Sequence, residues 1–72
     1  MKDWPSIRAR ELLKILNKIG WTEIRSSGSH KVLRRQGWAD FVFAFRDSDE
    51  VGPRMVARIA KQTGLAVDYF RR

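Results

Sequence analysis

The only histidine of this 72-residue chain, His30, closes the run Ser26-Ser27-Gly28-Ser29-His30-Lys31 and opens a basic stretch that continues through Arg34 and Arg35. Histidine is the side chain whose ordinary titration lies nearest neutrality, which makes it the natural proton carrier in a site without a metal. Other chemistries fit the residues poorly. A zinc site needs about four N, S or O ligands, and one histidine with no cysteine does not supply them. Ser29 is a poor nucleophile for His30, because neighbours on a strand point to opposite faces. Ser27 could reach back across the turn, though nothing in the sequence marks it. The acids cluster in Asp47-Ser48-Asp49-Glu50, ahead of an expected helix, where they would favour its positive dipole end instead of forming a carboxylate pair. No glycine-rich phosphate loop leads into a helix. What survives is an imidazole beside Lys31, Arg34 and Arg35. That set suits attack of a ribose 2′-hydroxyl on its own 3′-phosphate, with His30 moving a proton and a cation stabilising the developing phosphorane charge. No metal and no other cofactor is called for. One imidazole cannot easily serve as both acid and base in a single step, so turnover should be slow or a second group must help. The plain alternative is that His30 is a polar strand residue on a solvated face.

The elements that would hold this run can be read from periodicity. Ala9, Leu12, Ile15, Leu16 and Ile19 share one face of a helix predicted from about Arg8 to Ile19, with Gly20 as its stop. Arg10, Lys14 and Lys18 recur on the opposite face as a basic stripe. Trp21 to Arg25 reads as a first strand, Ser26-Ser27-Gly28 as a turn carrying Gly28 and Ser29 to the base of His30, and Ser29 to Arg35 as a second strand. Phe41 to Phe45 is the third strand and the most apolar run. A three-residue loop, Arg35-Gln36-Gly37, would set Gly37 in the left-handed region, Arg34 opposite Trp38 and His30 opposite Val42. Leu33 would then face the core with Phe41, Phe43 and Phe45, while His30, Val32, Arg34, Val42 and Ala44 share the other face. A two-residue loop would reverse this and put His30 with the phenylalanines; the first register is preferred because it keeps His30 and Arg34 off the core. A second helix begins near Gly52-Pro53, with Met55, Val56, Ile59, Ala60 and Thr63 inward and Arg54, Arg58 and Lys61 outward, and stops at Gly64. Leu65 to Phe70 adds a packed turn, and Arg71-Arg72 is a frayed tail. The result is an α+β layer arrangement: a three-stranded antiparallel sheet with both helices on one face. Its other face is left partly apolar, which suits a partner or a second copy.

Length and charge bound the rest. Residues 1–72 make one domain of marginal intrinsic stability, for which a homo-oligomer or a heteromeric complex would compensate. Fifteen lysines and arginines against eight acids give a net charge of +7. Residues 1–38 carry nine bases and three acids, and residues 39–72 six and five, so a polyanion would meet mainly the first half. Lys31, Arg34 and Arg35 would contact RNA near a cut, and Arg10, Lys14 and Lys18 would position a duplex or its backbone. The N-terminus shows no signal-peptide pattern and no apolar run approaches a membrane span, so a cytoplasmic protein without membrane contact is expected.

These features resemble the HicA family of toxins, mRNA interferases of toxin–antitoxin pairs. The resemblance runs from Arg8 to about Phe70. It is carried by Arg10-Glu11-Leu12-Leu13-Lys14 closing on Gly20-Trp21, by Ile24-Arg25 leading into Gly28-Ser29-His30 and the basic strand, and by Gly52 followed by Arg54-Met55-Val56-Ala57-Arg58-Ile59 and Gly64-Leu65. The resemblance implies a double-stranded-RNA-binding-domain-like fold (α-β-β-β-α), a catalytic histidine at His30, mRNA as substrate, and neutralisation by a HicB-like antitoxin. Many members end the third strand in a Val-Pro-x-His-like segment, where this chain has Phe43-Ala44-Phe45-Arg46. The usual serine or threonine before the first helix is also replaced near Arg8. A metal-independent endoribonuclease toxin of a type II pair is thus the first expectation. A small RNA-binding module that does not cut is the second. A subunit that shows its bare sheet face to a protein alone is the third.

Overall fold

A computed structural model describes residues 4–70; Met1 to Asp3 and the Arg71-Arg72 tail lie outside the described residues. The chain runs β1 (Ile7–Arg8), α1 (Ala9–Lys18), β2 (Thr22–Ser27), β3 (His30–Arg34), β4 (Phe41–Ala44), β5 (Glu50–Val51), α2 (Pro53–Thr63) and a 3-10 turn (Val67–Phe70). Strands β2-β3-β4 form an antiparallel sheet in that order. The expected α+β architecture is therefore present. The short antiparallel pair of β1 with β5 was not foreseen.

Both helices are amphipathic and bury one stripe against one face of the sheet. Ala9, Leu12 and Leu16 of α1, Val56, Ile59 and Ala60 of α2, Leu33 of β3 and Phe43 of β4 make one core with Trp21, Val51 and Leu65. Met55 was expected on the inward stripe of α2 but is exposed, one position off its centre. The end of α1 is closed by two backbone bonds, Gly20 N–H to Asn17 C=O at 3.2 Å and Trp21 N–H to Leu16 C=O at 3.0 Å. This is the paired closure of a Schellman turn, and it drops the Trp21 indole into the core beside Leu16. There the indole Nε1–H donates to the Thr63 carbonyl at 3.0 Å, tying the exit of α1 to the last turn of α2.

The start of α1 is capped from elsewhere in the chain. Its N-cap, Arg8, offers no side-chain acceptor. Instead the N–H groups of Ala9 and Arg10 donate to the carbonyls of Asp49 and Asp47, at 2.8 and 3.2 Å. The acidic loop thus closes the N-terminus of α1, not that of α2, which carries no acid in its first turn. The β1–β5 pair is the same device seen from the strand side, since it holds residues 7–8 against residues 50–51. The second helix behaves as read: Pro53 opens it and Gly64, at φ 76°, ends it.

Two local readings need correction. The first turn is Gly28-Ser29, two residues, with Ser27 paired to His30, so Ser26 and Ser27 belong to β2. Gly28 takes φ 60° and Ser29 does not turn positive, the pattern of a type II′ hairpin with glycine in its first central position. The loop from β3 to β4 is longer than three residues. His30 pairs with Ala44 and Val32 with Val42, a register two residues beyond the expected one. Because side chains alternate with period two, that shift leaves every residue on its expected face. Leu33 and Phe43 are buried, and Val42 is 54 % exposed on the other side.

Candidate active site on the open sheet face

The face opposite the helices is assembled by register. Directly paired residues share a face, so Thr22, Arg25 and Ser27 of β2 stand with His30, Val32 and Arg34 of β3 and with Val42 and Ala44 of β4. Arg25 arrives there through a bulge. Between Glu23 and Arg25 the register slips, so that Arg25 lies opposite Val32. His30 opens β3 and is exposed to solvent. Its cross-strand neighbours are Ser27 on one side and Ala44 on the other.

Arg34 holds a bidentate pair with Asp40, Nε to Oδ1 and Nη2 to Oδ2, both 2.9 Å. The hydrogen bonds to Asp40 and its charge raise the Arg34 pKa. The same hydrogen bonds hold the Asp40 carboxyl below its ordinary range against the opposing effect of desolvation, with lesser help from the positive charges of Arg34 and Arg25. The pair is solvent-exposed, so it contributes little stability and a stronger anion can displace the carboxylate. The Arg34 fork therefore already holds an oxyanion of the geometry that a phosphate would present.

The other basic residues singled out by sequence lie elsewhere. Lys31 is on the helix-covered side: its side chain is 18 % exposed and its Nζ lies 4.0 Å from Asp47. With Arg46 it borders a recess around the Gly28-Ser29 turn, so it reaches the rim next to His30 but not the face that carries it. Arg35 leaves β3 and stacks on Trp38, its guanidinium carbon 5.3 Å from the ring centroid. It also runs beside Gly20, where a Cβ would stand 3.2 Å from its Nε. Arg34 and His30 are separated by about 13 Å along β3, at roughly 3.3 Å per residue, and Arg35 lies beyond. Arg10, Lys14 and Lys18 are exposed on the outer side of α1. Glu11 shares its carboxylate between Arg10 at 3.9 Å and Lys14 at 3.7 Å. The helical stripe and the His30 face thus look away from each other through the two layers of the fold.

Sequence reasoning did not single out Arg25 or Asp40, and it considered Ser27 only to set it aside for want of a signal. The Gly-Ser dipeptide between two strand patterns is a recognised two-residue hairpin signal and would have placed Ser27 beside His30. No local signal marks the bulge that brings Arg25 to the face.

A helix–strand–strand–strand–helix chain with two helices over one sheet face and a bare opposite face defines an α+β protein with a double-stranded-RNA-binding-domain-like fold. A family model described as the HicA toxin of bacterial toxin–antitoxin systems matches residues 9–65, from the first residue of α1 to Leu65. The chain belongs to the HicA toxin family. No curated protein and no solved structure matches it. Among the described residues, no helix is long and apolar enough to cross a membrane.

Proposed function

We propose that this HicA toxin is a cytoplasmic endoribonuclease that cleaves mRNA without a metal and is held in check by a HicB-like antitoxin. His30 takes the proton from a ribose 2′-hydroxyl, or returns one to the departing 5′-oxygen. The 2′-oxygen forms its bond to the adjacent phosphorus as the 5′-oxygen bond breaks, leaving a 2′,3′-cyclic phosphate. The internal nucleophile is already positioned by the ribose, which supplies the proximity that an external water would lack. Arg34 and Arg25 sit on the same face and offer charge to the phosphate backbone. Lys31 and Arg46 flank the turn from its other side. Gly28 and Ser29 set the hairpin that presents the imidazole.

The observation that carries this reading is an exposed imidazole on a cationic sheet face in a chain of the HicA family. Purified His30→Ala chain tests it directly. Cleavage of a transcript falls by about 10²- to 10⁴-fold, the range for removing a general acid or base, while RNA binding and the thermal midpoint persist. Cleavage that survives at the parent rate removes His30 from the chemistry.

A second reading, RNA binding without cutting, has one observation in its favour. The residues in register with His30 are Ser27 and Ala44, so neither cross-strand neighbour brings a second titrating group. Retained, steeply salt-dependent RNA affinity with no cleavage by the parent chain would establish it.

A further inference from the structure

The sheet has two edges, and they are built differently. The β2 edge is interrupted by the bulge at Ile24 and carries Thr22, Glu23, Arg25, Ser26 and Ser27, a polar and twisted border of the kind that discourages further pairing. The β4 edge has none of these devices. From Phe41 to Phe45 it holds no charge, no proline and no bulge.

Register shows which peptide groups that edge presents. In a hairpin closed by two residues, the flanking pair exchanges both backbone hydrogen bonds, here Ser27 with His30. Alternation along β3 then turns Lys31 and Leu33 toward β4, where their partners are Phe43 and Phe41. The N–H and C=O groups of Val42 and Ala44 therefore point outward, away from the sheet. They border a groove of about 450 Å³ whose far wall is α2, through Met55, Arg58, Ile59 and Gln62. A neighbouring groove shares Met55 and Arg58 and adds Arg54. Among the described residues, neither Arg54 nor Arg58 has an ion-pair partner, and no acid lines either groove.

We propose that the β4 edge is a strand-addition site for the antitoxin: an extended, acid-bearing segment pairs with the outward peptide groups of Val42 and Ala44 and sets its carboxylates against Arg58 and Arg54. The proposal rests on the reading that this toxin has a protein antitoxin. The backbone row demands an extended peptide and excludes RNA as the occupant of the edge, since a polynucleotide has no peptide ladder to offer. The charge selects an acidic partner over a second copy, because two chains of net charge +7 would bring their own α2 arginines together. An added strand would extend the bare face beyond Ala44, which stands in register with His30, so the bound segment would also crowd the imidazole.

The test uses the full chain, silenced by His30→Ala so that it can be produced alone, and the same chain in complex with its antitoxin. Amide hydrogen exchange at Val42 and Ala44 slows at least tenfold in the complex, on the order of one backbone hydrogen bond's effect. Val42→Pro and Ala44→Pro each weaken the complex by about tenfold or more. Proline is tolerated at these sites because neither N–H bonds to β3, and preserved cross-strand NMR contacts between Lys31 and Phe43 verify the fold. Arg58→Glu weakens the complex without touching the backbone. A complex that forms while both edge amides exchange as in the free chain overturns the proposal and leaves the toxin–antitoxin reading standing. So does parent affinity in both proline variants. Edge amides already protected in a dimer of the free chain would assign the site to a second copy and overturn it as well. If no complex forms with the antitoxin, the reading and the proposal fall together.

Discussion

Ser27 and His30 face each other as the closing pair of a two-residue hairpin, which puts a hydroxyl and the imidazole on the same side of the sheet. Directly opposite side chains in such a pair have Cβ atoms about 5 Å apart. The position of the His30 Cβ is therefore fixed by backbone hydrogen bonds and by Gly28. The side chain thus starts from a defined point of the face and is open to a large ligand.

The glycines at Gly28 and Gly64 separate backbone strain from steric conflict. Both have positive φ, 60° and 76°. A Cβ at Gly28 would meet nothing within 4 Å, whereas one at Gly64 would stand 2.7 Å from the Trp38 ring. Gly28→Ala is expected to cost about 1–3 kcal/mol, the strain of a side chain at the first central position of a type II′ turn, a fall of several degrees in thermal midpoint for a chain of this size. Gly64→Ala carries the left-handed penalty of about 1–2 kcal/mol and adds overpacking of about 1 kcal/mol or more. In a Trp38→Ala background the overpacking part disappears, so the Gly64→Ala loss shrinks while the Gly28→Ala loss does not. Thermal melts of both glycine variants in both backgrounds measure this. A Gly64→Ala loss that is the same with and without Trp38 would mean that the ring simply steps aside.

These distinctions show what local sequence can and cannot say. The assignment of faces was legible because hydrophobic alternation in β3 and β4 is strong, and it survived a two-residue error in register since such an error preserves parity. Helix ends at Gly20 and Gly64 were legible from glycine alone. The cap of α1 was not, because its acceptors are backbone carbonyls of Asp47 and Asp49, and a carbonyl carries no residue signature. The acids of that loop do precede α2, as read, but the loop's second task, closing α1 through its main chain, leaves no mark in their side chains. Lys31 follows Leu33 in parity and so lies on the covered side with Asp47. Proximity in sequence to His30 placed it on the rim, but strand geometry turned it away from the imidazole.

Trp21 is the seam between the helices, and its polar handle is separable from its bulk. The ring is 1 % exposed and its N–H meets the Thr63 carbonyl. Thr63 in turn donates from its hydroxyl to the Ile59 carbonyl at 2.7 Å, so both groups of this buried residue are engaged. Trp21→Phe keeps most of the apolar contact, removes the donor and strands the carbonyl. The expected loss is about 1–3 kcal/mol for the unsatisfied acceptor, before any cavity cost. Urea unfolding with an unchanged m-value measures it. A loss within error of zero would show that the carbonyl finds water or another donor in the variant.

Asp40 couples stability to pH with a definite sign. Its carboxyl is held below the ordinary value of 3.8, chiefly by the hydrogen bonds from Arg34. A depressed carboxylate contributes stability above the unfolded value and loses it as pH falls through the folded one. The Arg34–Asp40 contribution is therefore complete at neutral pH and fades only below the usual carboxylate range. Asp40→Asn should flatten that acid limb, as read by thermal midpoints between neutral pH and about pH 2. The same substitution frees the Arg34 fork for phosphate. One further phosphate contact steepens the dependence of log affinity on log salt by about 0.7–0.9. An unchanged salt slope would place RNA off this part of the face.

For the proposed cleavage of a transcript, the opposed positions of Arg25 and Lys14 separate two candidate surfaces. Arg25 lies in register with Val32 on the His30 face, while Lys14 projects from the outer side of α1 and already shares Glu11 with Arg10. If cleavage occurs at His30, the scissile phosphate and its neighbours must lie along the open face, so charge reversal there acts on the transition state as well as on binding. Arg25→Glu is then expected to lower kcat/KM by about tenfold or more, against a few-fold for Lys14→Glu, the second acting mainly through long-range attraction that salt screens. Both sites are exposed, so thermal midpoints should move little in either variant. Cleavage rates measured at two salt concentrations separate the cases: the Lys14→Glu defect shrinks as salt rises, and the Arg25→Glu defect persists. The reverse order would move the RNA to the helical side and leave His30 without a substrate phosphate within reach.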